Sequence, residues 1–83
     1  MQPIGRETAN ITKSDDTTYT TPYDGFQVDA EGDVKITDWD GNAVTIPSCL
    51  AGVPYSFQFT KFWSTGTAAG ISTILAYRFN KTD

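Results

Sequence analysis

Apolar residues in this chain recur at every second position in short runs, and Gly, Asp, Asn and Pro cut the runs apart. Phe26 and Val28 flank Gln27, so Gly25 to Asp29 reads as a short strand followed by a turn at Ala30-Glu31-Gly32. Val34 and Ile36 share one parity while Lys35 and Thr37 share the other, the signature of a half-buried strand. Within Asp38-Trp39-Asp40-Gly41-Asn42, the trio Asp40-Gly41-Asn42 is a hairpin signal, because Gly and Asn tolerate positive φ. Val44 and Ile46 then lie on one face of the returning strand. Pro47 is expected to end that strand, since it has no N–H to give to a ladder. Ser48 to Pro54 reads as a loop.

The second half continues the pattern. Tyr55, Phe57 and Phe59 alternate with Ser56, Gln58 and Thr60 and predict a strand running to Phe62, with Phe57 and Phe59 in the core. Phe62-Trp63 breaks the parity, which calls for a bulge near Lys61 or for cover on both faces there. Thr65 to Gly70 is a link of small residues. Ile71 to Phe79 predicts a last strand that is apolar on both parities, as expected of a central strand or one covered by a partner. No window carries a 3.6-residue period. Ala68 to Ala76 is the one place for a short helix, and Gly70 with β-branched Ile71, Thr73 and Ile74 argues against it. The spacing predicts an all-β fold, a small antiparallel β-sandwich or barrel of five to six strands; periodicity does not choose between the two.

The first 21 residues differ from the rest. Met1 to Asp16 is polar and mixed, and Thr17 to Thr21 is β-prone with almost no aliphatic residue. Residues 1–21 read as an extended N-terminal arm, either frayed or ordered on a neighbouring subunit, and residues 22–83 as the all-β domain.

Size sharpens this picture. A chain of 83 residues buries only roughly 60–65% of its unfolded surface, and such domains usually add a disulfide, a metal or a partner subunit. Cys49 is the single cysteine and there is no histidine, so neither an intrachain disulfide nor a structural zinc site is expected. A homo-oligomer is the remaining source of stability. Charge excludes one partner class: the net charge is −4 and Arg6, Lys13, Lys35, Lys61, Arg78 and Lys81 are scattered rather than striped, so no nucleic acid is expected. No apolar run approaches the roughly 18 residues of a membrane span, the N-terminus lacks the form of a signal peptide, and a lone Cys49 suits a reducing compartment.

Candidate chemistry is thin. Asp24, Asp29, Glu31, Asp33, Asp38 and Asp40 are crowded, and Asp38 to Asn42 faintly resembles the start of a calcium loop. Cys49 stands where the twelfth-position Glu would be, so turn-making is the better reading of these acids. Without His there is no ordinary general base and no partner for a Cys49 nucleophile; no enzyme activity and no cofactor are expected, and Cys49 reads as an apolar filler. Gly66 to Gly70 lacks the Lys and the helix of a phosphate cradle. The binding candidates are the aromatics Tyr19, Tyr23, Trp39, Phe62 and Trp63, which exceed what alternation alone would bury. Trp and Tyr are enriched in protein–protein hot spots; the competing role is core packing.

The runs Gly25-Phe26-Gln27-Val28, Gly32-Asp33-Val34-Lys35-Ile36 and Asp40-Gly41-Asn42-Ala43-Val44-Thr45-Ile46, with Ala51-Gly52-Val53-Pro54, Phe62 to Ala69 and Ile74-Leu75-Ala76-Tyr77, resemble a family of small tailed-phage virion proteins. Its best-described members are the head spike base proteins of phages and gene transfer agents. The likeness covers roughly residues 22 to 77; Phe62-Trp63-Ser64 and Ser48-Cys49-Leu50 depart from the family pattern, and the arm matches nothing in it. The resemblance implies a non-enzymatic structural protein of the virion, made in the host cytoplasm and assembled symmetrically. It implies a capsid vertex spike base or a head decoration (cement) protein, with the major capsid protein, other virion proteins, or a spike or fibre protein as partners. Two other readings stand beside it: a head–tail connector subunit, and a carbohydrate- or receptor-binding β module in which Trp39 and Trp63 form a stacking platform.

Overall fold

The computed structural model describes residues 4–81. Met1 to Pro3 of the expected arm, and the side chain of Phe79, lie outside the described residues. The fold is all-β: six strands in two three-stranded antiparallel sheets, with no helix among the described residues. The strands are β1 (Ile4–Ile11), β2 (Gly25–Val28), β3 (Gly32–Thr37), β4 (Ala43–Cys49), β5 (Lys61–Phe62) and β6 (Ile74–Lys81). One sheet has the order β1-β6-β2 and the other β4-β3-β5.

β6 is apolar on both parities because it is central. It pairs with β1 from Ile11↔Ile74 to Ile4↔Lys81, and with β2 from Val28↔Ile74 to Gly25↔Tyr77. Both sheets feed one core: Phe26, Val28, Ile74 and Ala76 from the first, Val34, Ile36, Cys49 and Phe62 from the second, with Phe59 and Ile71 from the connections. Phe26 meets Phe59 and Phe62 edge-on, with ring centroids 5.8 and 5.3 Å apart. Isolated bridges Tyr23↔Phe59, Phe26↔Tyr55 and Val28↔Ala51 fasten β2 to the segment that leads out of β4.

The β3–β4 hairpin forms as its pattern predicts. Val34 and Ile36 are buried and Lys35 and Thr37 face outward. The Asp38 carboxylate accepts from the backbone N–H groups of Asp40 (3.0 Å) and Asn42 (2.9 Å), and Gly41 takes φ 90, a left-handed value that Gly adopts without steric cost. Asp38 therefore shapes the turn of this loop.

Four expectations are corrected. Pro47 does not end its strand; β4 runs on to Cys49. It is an edge strand, where a missing N–H on the outer side costs nothing. The register between Gly32↔Cys49 and Val34↔Ile46 gives β4 one extra residue. Ser48, at φ 55, sits in that bulge with its N–H on the Asp33 carboxylate at 2.9 Å, and the shift turns Cys49 into the core.

The Tyr55–Phe62 strand is the second. Only Lys61–Phe62 is regular, and Phe57 is 45% exposed while Phe59 is fully buried. Tyr23↔Phe59 and Phe26↔Tyr55 are separated by three steps on one side and four on the other. The extra residue falls within Ser56–Gln58, and it breaks the parity that would have carried Phe57 inward.

The third is the arm. Ile4–Ile11 is a strand of the chain's own first sheet. Beyond it, Ser14 N–H donates to Phe62 C=O (2.9 Å) and Tyr19 N–H to Thr60 C=O (2.7 Å). Ile71, expected to open the last strand, is buried ahead of it.

Candidate interaction surface

The five aromatic candidates separate by position. Phe62 is 1% exposed and Tyr23 6%; both are spent inside the chain. Phe62 lies on the inner face of β5, and Tyr23 stacks on Phe59 at 5.5 Å. Tyr19 is half-buried and meets Tyr23 edge-on at 5.1 Å; burial, with Tyr23 beside it, raises its phenol above the ordinary value despite the opposing Arg78 charge. Arg78 lies over the Tyr23 ring at 4.0 Å, donates to the Thr21 carbonyl at 2.9 Å and pairs with Glu7 at 3.1 Å. It ties β6, β1 and the approach to β2 together.

Trp63 is half-buried on the outer face of the second sheet. Its indole N–H donates to Thr37 Oγ1 at 2.9 Å, and the ammonium groups of Lys35 and Lys61 lie 4.6 and 4.4 Å from its ring centroid. Both ammonium groups are within cation–π distance of the ring. Trp39 is the most exposed of the five, 62% exposed at the tip of the β3–β4 hairpin.

The structure adds residues that alternation did not identify. Val44, Leu50, Val53 and Phe57 are exposed large hydrophobics, and with Trp39 they all fall between residues 39 and 57. A signal was present: Ala43 to Thr60 contains no Asp, Glu, Lys or Arg. A long uncharged run that includes an edge strand is unusual for solvent-facing surface, because natural edges are commonly guarded by charge.

Chemistry is sparse on this framework. Among the described residues no group of three His, Cys, Asp or Glu side chains could hold a metal. Burial, with the Asp33 charge beside it, raises the Cys49 thiol above its ordinary value, which keeps it protonated and unreactive. Asp15 and Asp29 are lowered, each by loop donors: Asp15 by the Thr65 hydroxyl and the N–H groups of Thr65 and Ser64, Asp29 by the Ser72 hydroxyl and the N–H groups of Ser72 and Thr73. These two carboxylates are structural staples. A shallow open hollow of about 210 Å³ lies over Asn10, Gln27 and Leu75, which stand in one row across β1, β2 and β6.

No family model and no curated protein sequence matches the chain. Among solved structures it is similar to a chain in the capsid of a native GTA particle computed with C5 symmetry, at 22% identity and a TM-score of 0.69. The similarity covers 89% of this chain and 83% of that one, so the two are close in length and share a fold almost from end to end.

Proposed function

We propose that this chain is a non-enzymatic structural protein of a tailed-phage or gene-transfer-agent particle, a head component that sits on the capsid as a spike base or decoration protein. The observation that carries the reading is the fold similarity, over 89% of this chain and 83% of the other, to a capsid-particle chain. The C5 symmetry with which that particle's capsid was computed supports symmetric assembly with capsid proteins; in this reading the major capsid protein and a spike or fibre are the partners.

The surface agrees with this role. The chain exposes apolar side chains from one segment while Asp15, Asp29 and Asp38 serve staples and a turn, and Trp39 stands at a hairpin tip where it can reach a neighbouring protein. Assembly in the host cytoplasm suits a chain whose one cysteine is reduced and buried. Exposed apolar residues concentrated in one segment mark contact surfaces, and repeated contacts between copies supply the stability that a domain of this size lacks alone.

The test is co-sedimentation of the purified, tagged chain with particles made without it. Saturable binding that survives washing supports the assignment; recovery of the whole protein in the unbound fraction refutes it.

A further inference from the structure

β4 has an open outer edge, and β3 fixes which backbone groups it offers. The Lys35 carbonyl accepts from Trp63 N–H and the Thr37 carbonyl from Thr60 N–H, both at 2.9 Å. The Lys35 N–H donates to Thr67 Oγ1 at 3.0 Å, on that same side. Successive residues of an antiparallel strand bond to opposite neighbours. Lys35 and Thr37 therefore spend their backbone groups on the β5 side and none on β4. Their cross-strand partners are Thr45 and Ala43, so the N–H and C=O groups of these two point away from the sheet.

Nothing among the described residues pairs with that edge, and the usual guards are missing. From Ala43 to Thr60 there is no charged residue, and Val44 and Leu50 add exposed apolar side chains beside it. Pro47 is the one protective feature, and it lies at the far end from Ala43.

The chain carries a second open edge. β1 pairs with β6 alone among the described residues, and Glu7, Thr8 and Asn10 on it are exposed. The two edges belong to different sheets and have matching lengths, eight residues in β1 and seven in β4.

We propose that β4 of one copy pairs along its open edge with β1 of a second copy, so that a sheet continues from subunit to subunit. The inference rests on the reading of the chain as a symmetric particle component. Main-chain pairing gives the contact its affinity. The partner is another copy because one chain supplies both halves of the contact. A contact between two different surfaces repeats at every copy and closes into a ring when the rotation permits, whereas β4-to-β4 pairing stops at two. The N-terminal segment then meets a neighbour through its edge while staying packed on its own domain.

Cross-linking tests the contact. In a Cys49→Ala background, Thr45→Cys is combined in turn with Glu7→Cys, Thr8→Cys and Asn10→Cys, and each protein is oxidised and run on a non-reducing gel. At least one pair is expected to give a ladder of covalent oligomers, while Thr45→Cys alone stays monomeric on the gel. Covalent dimers from Thr45→Cys alone, or no ladder from any pair, overturn the proposal. As an independent measurement, Thr45→Pro removes one outward N–H and spares the bonds to β3. It is expected to keep the wild-type circular dichroism and to run at the mass of one chain by light scattering, where the wild type runs as a multiple. A folded Thr45→Pro that assembles like the wild type overturns the edge contact and leaves the particle assignment standing. Rings that depend on β4 but never join particles defeat the particle assignment and leave the edge contact standing.

Discussion

Asp15 and Thr65 are fifty positions apart in sequence and are bound twice: the Asp15 carboxylate accepts the Thr65 hydroxyl at 2.6 Å and its backbone N–H at 2.9 Å. The Ser64 N–H joins them at 2.9 Å. This junction fastens the segment after β1 to the loop after β5, and with the Lys61 ammonium on the Asp15 carbonyl at 3.0 Å it holds residues 13–16 against the second sheet. Asp15→Ala is expected to free that segment while leaving the hairpin intact. Hydrogen exchange checks it: the amides of Ser64 and Thr65 should lose protection, and those of β3 should keep theirs.

The same staples set the acid response. Hydrogen bonds hold the carboxylates of Asp15 and Asp29 below their ordinary value of 3.8 in the folded chain. The unfolded chain therefore binds protons first as pH falls. Their stabilisation is complete above about pH 4–5 and is lost as pH drops through the folded values. Urea midpoints measured from neutral pH down to acid should fall most steeply below pH 3.8, and Asp29→Asn should flatten that fall.

The bulge between Tyr55 and Phe59 gives two phenylalanines opposite fates. Phe59→Ala empties a fully buried site and should cost about 3–5 kcal/mol. Phe57→Ser changes a half-exposed one and should cost no more than about 1 kcal/mol. Chemical denaturation of both variants checks the pair, and equal losses would contradict the parity slip.

Gly25 is buried between two tyrosines. A Cβ there would lie 2.5 Å from Tyr77 Cε2 and 2.7 Å from the Tyr55 carbonyl oxygen. The carbonyl is backbone and cannot step aside, so Gly25→Ala is expected to destabilise by about 1–3 kcal/mol through overpacking, as read from thermal melts.

Trp39 and Trp63 should also separate. Trp39→Ala is expected to leave stability within about 0.5 kcal/mol of the wild type while weakening retention on particles. Trp63→Phe removes the hydrogen bond to Thr37 and should cost about 0.5–1.5 kcal/mol.

Legibility in the sequence followed locality. The β3–β4 hairpin was readable because Val34, Ile36 and the Asp40-Gly41-Asn42 turn lie within one window; the two apolar parities of β6 left a central place and cover by a partner both open, and the sheet order decides for the first. β1 was not: Gly5 to Asn10 lacks alternating aliphatics, its partner lies at the opposite end of the chain, and Ala9 and Ile11 alone among its described side chains pack on the core. The exposure of Phe57 depends on a register counted against Tyr23 and Phe26, which local period cannot supply. Asp15 and Asp29 act across loops more than forty residues away, and such caps leave no mark beside the acid. The uncharged run from Ala43 to Thr60 was visible in the composition but pointed to a surface only once β4 proved to be an edge.

The most direct test of the structural-protein assignment is the copy number of this chain in purified particles, measured by quantitative mass spectrometry against the shell-forming protein. The assignment predicts a fixed ratio that is a small multiple of five for each occupied vertex and unchanged through repeated gradients. Absence from the particles, with the protein recovered only in the soluble host fraction, would contradict it.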